Sequence, residues 1–131
     1  MSRPANSSQT IRILHEGNTP TIQLAEVGSQ RVLLGGPGDD GSPMLMGITL
    51  VRPGHTSALI KHDSAEICYV LSGAGSMTTD GSDHDFQAGD AIVIDQGCWH
   101  GIRAGNDPVE MLYVFPTALG PITLEHSAAE K

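Results

Sequence analysis

Aromatic residues are scarce in this chain, with one Trp, two Tyr and two Phe among 131 residues. An interior built from it therefore rests on Ile, Leu, Val and Met. Basic residues are scarce too, seven against fifteen acidic ones, for a formal charge of −8. A field of that sign repels phosphate backbones and anionic membrane surfaces, so neither nucleic acid nor membrane is expected as a partner. Its plainest service is solubility. Cys68 and Cys98 are too few for the disulfide framework of a small secreted domain. No apolar run approaches the length of a membrane span, and the opening MSRPANSSQT lacks the apolar stretch of a signal peptide. These absences point to a cytoplasmic setting. Sustained helical periodicity is missing as well, which leaves strands to build the fold.

Turn formers are plentiful by contrast, with sixteen Gly and eight Pro. Short strands joined by tight turns use such residues; helical bundles do not. The length suits one domain with one core. The organisation expected is a flexible polar tail over 1–9, a β-barrel over 10–116 and a C-terminal tail over 117–131. Short strands are predicted at Ile11–Leu14, Thr21–Leu24 and Gln30–Leu34. Gly35–Gly41 reads as a loop, and a lid over a barrel mouth is one use for it. Longer strands follow at Met44–Val51, Thr56–His62, Glu66–Ser72 and Gly75–Thr79. Asp80-Gly81 then serves as a hairpin turn with its residues at positive φ. Phe86-Gln87, Ala91–Ile94, Trp99–Ala104 and Val109–Phe115 complete the set. About ten strands at this spacing read as a double-sheet jelly roll.

The chemistry concentrates between Pro53 and Ala104. His62 and Glu66 stand four apart at a strand junction, and His100 lies on a second apolar strand. If these three point inward, alternation turns Ile60, Cys68 and Ile102 inward with them and Trp99 outward. The surroundings are then apolar, so a buried Glu66 requires a proton or a cation. A divalent metal held by two imidazoles and one carboxylate satisfies all three side chains at once. Met46 and Cys98 complete the expected pocket lining, with Cys98 two residues before His100.

At these residues the chain resembles the cupin superfamily. The first cupin motif, G(x5)HxH(x3–4)E(x6)G, is met by Gly54, Ile60-Lys61-His62, Glu66 and Gly73, with Ile60 in place of the first histidine. The second, G(x5)PxG(x2)H(x3)N, is met by Gly89, Asp95-Gln96-Gly97, His100 and Ala104, which keeps its glycines and histidine. The resemblance implies a cupin jelly-roll barrel and a metal at His62, Glu66 and His100. Fe(II) is favoured, while Zn, Mn and Ni suit the same ligands. It also implies a small organic substrate, as for a non-haem oxygenase or a lyase or cyclase. The other reading is a non-catalytic ligand-binding or sensing cupin whose site has degenerated at Ile60. A homodimer is expected, with Ile11–Leu14 adding a strand to the partner. Glu66, Asp95-Gln96 and Val114-Phe115 are similar to ectoine synthase, although Ile92 stands where that family has a tyrosine ligand. The Phe115-Pro116-Thr117 end is similar to the cupin-type dimethylsulfoniopropionate lyases.

Overall fold

A computed structural model of the chain describes residues 11–36, 41–118 and, by backbone, 124–126. The tail over 1–9 and most of the lid segment, residues 37–40, lie outside the described residues. Eleven strands are described: β1 (Thr21–Leu24), β2 (Gly28–Leu34), β3 (Leu45–Val51), β4 (Ile60–His62), β5 (Glu66–Ser72), β6 (Ala74–Thr78), β7 (Asp83–Gln87), β8 (Ala91–Ile94), β9 (Gly101–Ala104), β10 (Val109–Phe115) and β11 (Leu124–His126). One 3-10 turn, Glu16–Asn18, is the sole helical element among the described residues. No helix among them is long and apolar enough to cross a membrane.

One layer is a six-stranded antiparallel sheet in the order β1-β2-β3-β10-β5-β8. The other joins the ribbon β11-β4 to the sheet β7-β6-β9, because Ile60 bridges His100 just before β9. This is the jelly roll that the strand spacing predicts. The core is largely aliphatic: Val51, Val70, Val109 and Met111 are fully buried, and few aromatics join them. On β10 the inward set is Val109, Met111, Tyr113 and Phe115, a strict alternation that aims two of the aromatics at the interior.

Several boundaries depart from expectation. Ile11–Leu14 forms no strand, and Ile11 and Ile13 are 86% and 92% exposed. Alternation alone cannot make a strand without an edge to pair with. The strand predicted from Thr56 shortens to β4, leaving an isolated bridge between Thr56 and Arg103. The strand predicted from Trp99 begins instead at Gly101, because Asp95–Cys98 is a tight turn closed by Cys98 N–H donating to the Asp95 carbonyl. Neither Asp80 nor Gly81 takes positive φ. Thr79 does the work there: its hydroxyl oxygen accepts N–H groups from Gly81 at 3.3 Å and Ser82 at 2.9 Å. The strand at Phe86 extends back to Asp83, where Ser76 Oγ donates to Asp85 and Arg103 pairs with Asp83. A further strand, β11, lies within the segment expected as a tail and pairs with β4.

Gly47 fixes the interior of the large sheet. A Cβ there would fall 2.3 Å from the Tyr113 hydroxyl and 2.8 Å from the Arg31 carbonyl oxygen. The phenol therefore crosses β3 only because position 47 has no side chain. Gly47→Ala is expected to cost about 2 kcal/mol of stability through overpacking, measured by urea denaturation against the wild type.

Candidate metal centre

His62 ends β4 and Glu66 begins β5, with Asp63-Ser64-Ala65 reversing the chain between them. That reversal also pins the imidazole, since His62 Nδ1 lies 2.7 Å from the Ser64 carbonyl oxygen. His100 follows the Asp95–Cys98 turn, where Gly97 supplies φ +78°. Its Nδ1 lies 2.8 Å from the Cys98 carbonyl oxygen. A carbonyl oxygen only accepts, so each Nδ1 carries a proton and donates. Both Nε2 atoms are thereby left with lone pairs.

Those lone pairs meet at one oxygen. Glu66 Oε1 is 3.1 Å from His62 Nε2 and 3.4 Å from His100 Nε2. The three ligand atoms lie within 4.8 Å of one another, and both histidines are buried. Three acceptors converging without a donor repel one another, and a proton or metal cation relieves that repulsion. Metal-bound histidines commonly show this second hydrogen bond from ring nitrogen to carbonyl. The donor set thus fits a divalent ion, with two nitrogens and one carboxylate oxygen.

The electrostatics agree with a shared cation. A hydrogen bond to Glu66 raises the His62 pKa, against a smaller opposing effect of burial. Burial works to raise Glu66, but hydrogen bonds from His100 and His62, given once their Nε2 atoms are protonated, outweigh it and hold the carboxyl below its usual range. Cys68 is pushed well up by burial and by the nearby Glu66 charge, so it remains a thiol. Its Sγ–H donates to Glu66 Oε2 at 3.6 Å.

The cluster opens on a cavity of about 550 Å³. Ile60, Cys68 and Ile102 line it, as strand parity requires. Met46 does not, since Leu45 and Thr49 are the cavity residues of β3 and Met46 has the opposite parity. Cys98 does not either. It is exposed in the turn before His100, where strand alternation does not apply. Trp99 turns outward beneath the Lys61 ammonium, 4.9 Å from its ring centroid.

Four polar residues of the cavity lining beyond the ligands were not anticipated: Gln30, Thr49, Ser57 and Tyr113. Tyr113 is 5% exposed and accepts a hydrogen bond from Gln30 Nε2 at 2.6 Å. Burial raises the phenol pKa despite that bond, so it stays protonated. The alternation of Val109–Phe115 could have placed Tyr113 inside. Nothing local marks Gln30 as its partner.

The sequence pattern of the Cupin_2 family, the cupin domain, matches residues 47–115, which span β3 to β10 and all three candidate ligands. The chain is a cupin. Among its relatives is the dimethylsulfoniopropionate lyase DddW of Ruegeria pomeroyi, 33% identical over 88 residues. The match covers 67% of this chain and 58% of that protein, so this cupin spans little more than half the relative's length. Solved structures of the same fold include the polyketide cyclase RemF from Streptomyces resistomycificus, at TM-score 0.73 and 20% identity over 89% of this chain and 85% of that one. The oxalate decarboxylase of Lactobacillus farciminis superposes at TM-score 0.72 and 22% identity, covering 86% of this cupin and 34% of the decarboxylase. At these identities the structural likeness is one of fold.

Proposed function

We propose that this cupin is a metal-dependent enzyme acting on a small organic acid, with the metal held by His62, Glu66 and His100. The observation that carries the reading is the convergence of two Nε2 lone pairs and Glu66 Oε1, with each Nδ1 tied to a backbone carbonyl. When bound, a divalent ion, Fe(II) by preference with Zn, Mn or Ni as alternatives, would supply Lewis acidity toward a carboxylate or carbonyl oxygen. The protein's own part is to orient and to dry the site. The turn carbonyls of Ser64 and Cys98 hold the two rings, and Phe115 packs edge-on to His62 at 5.0 Å between centroids. Ile60 and Ile102 form an apolar wall beside the ligands. Cys68 donates to the Glu66 oxygen that does not face the histidines, which orients the carboxylate.

The name of the sequence relative, a dimethylsulfoniopropionate lyase, supports lyase chemistry over oxygenation. Ile60 supports a second reading, a non-catalytic ligand sensor, because it removes one donor of the family motif. A panel including dimethylsulfoniopropionate and oxalate separates the two. The enzyme reading expects loss of at least one acid, halted by a chelator and restored by metal. Tight binding without turnover, at any metal, favours the sensor.

Proton competition gives a pH test. In the metal-free protein the raised His62 contributes stability that is fully present below about pH 6.5, its unperturbed value, and is lost as pH rises through its folded pKa. The depressed Glu66 contributes stability present above its ordinary carboxyl range and lost as pH falls through its folded pKa. Metal-free protein is therefore most stable between the two ranges. Metal affinity should fall on acidification through the imidazole range, by about tenfold per pH unit for each proton displaced. Metal titrations from pH 5 to pH 8 check this.

Assembly as a homodimer in the cytoplasm, where free Cys68 and Cys98 stay reduced, belongs to the same proposal. Ile67, Tyr69 and Leu71 of β5 and Val93 of β8 are exposed on the outer face, with Ile67 directly opposite Val93. Light scattering at tens of micromolar should give the dimer mass; a monomer there contradicts it.

A further inference from the structure

Tyr113 and Gln30 sit in the cavity but take no part in the cluster. Tyr113 precedes Phe115, which packs on His62, by one pleat repeat, about 7 Å along β10. Its side chain passes over Gly47 to reach Gln30 on β2, two strands away. Gln30 donates, so the phenol oxygen accepts and its own hydrogen remains to be given. Among the described residues no acceptor takes it. Leu24, Val27, Leu45 and Met111 line the same cavity, as does Thr49, which stands opposite both Gln30 and Met111 in the sheet. No Lys or Arg lines the cavity among the described residues. A second charge held at Tyr113 would therefore be buried without a counter-charge, whereas an uncharged oxygen would lose little on entering.

We propose that Tyr113, aimed by Gln30, is a specificity anchor that donates a hydrogen bond to a carbonyl or hydroxyl oxygen of the bound molecule, whose acidic end lies at the His62–Glu66–His100 cluster. The ligand class is a short-chain acid with a neutral oxygen several carbons from its carboxylate and an apolar stretch between. The placement of the acidic end rests on the metal reading above. Tyr113 would touch the ligand, while Gln30 is a positioning residue.

Two probes of matched length isolate the anchor: 4-oxopentanoate, and pentanoate, which lacks only the keto oxygen. Calorimetry on the protein as purified should show the oxo acid bound about tenfold more tightly, the range expected of one buried hydrogen bond. Tyr113→Phe should erase that preference and leave pentanoate affinity unchanged. Gln30→Met should reduce the preference severalfold, again without altering pentanoate. A purely structural role would instead weaken both acids together. The proposal is overturned if the wild type shows no preference or binds neither acid. It is also overturned if Tyr113→Phe keeps the preference or lowers both affinities alike. Glu66→Gln reports on the metal reading separately. It should weaken both acids equally, and its failure to do so sinks that reading while leaving the ratio between the acids to decide Tyr113.

Discussion

His100→Ala is expected to abolish stoichiometric metal binding, raising the dissociation constant by at least about 100-fold, while the barrel stays folded. One of three donors disappears, and the two that remain cannot close around an ion. Losing a ligand should exceed the 10–100-fold usual for losing a partner behind a ligand. The fold survives because His100 holds its place through the backbone. Its N–H donates to the Ile60 carbonyl at 2.8 Å, and the Ile60 N–H donates back at 2.9 Å. The deleted ring enlarges a cavity that already exists, so the stability cost stays at about 1 kcal/mol. Full metal occupancy in a folded His100→Ala protein would remove His100 from the site.

Ile60→His should tighten metal binding by about tenfold or more and lower any native turnover by a similar factor. Ile60 lies two residues before His62 on the same inward face and lines the cavity. The family motif has histidine there, so the substitution restores a fourth donor. In the natural chain that coordination position is open beside an apolar wall, available to a substrate oxygen. Filling it should strengthen the ion and obstruct the substrate. Metal affinity and turnover, measured on both proteins with the same acids, decide between a working vacancy and decay. Decay predicts tighter metal with no activity to lose. A variant that turns over faster than the natural protein would show the vacancy to be a defect.

The three candidate ligands and the barrel were legible because both depend on local rules. Motif spacing put His62 and Glu66 at a strand junction and His100 on a second strand, and period-two alternation turned Ile60, Cys68 and Ile102 inward with them. The structure brings all six to one cavity. Two expected lining residues fell outside the cavity: Cys98 lies in the turn before the strand that begins at Gly101, and Met46 has the opposite parity to the cavity residues Leu45 and Thr49. Ile11–Leu14 had the alternation but no partner strand. The Gln30–Tyr113 bond was out of reach for another reason. It spans 83 residues and exists only because Gly47, between them in the sheet, carries no side chain. Such a contact depends on register across three strands, which no single stretch of sequence encodes.

Everything proposed for the site depends on a metal ion at the His62–Glu66–His100 cluster. Elemental analysis of protein purified without added metal, beside Glu66→Gln prepared identically, tests it most directly. The substitution keeps the shape of residue 66 and removes the charge on which both imidazoles converge. Near one divalent ion per chain is expected in the natural protein and little in the variant. Equal metal in both, or none in the natural protein even after incubation with Fe(II), Mn(II), Ni(II) or Zn(II), would contradict it.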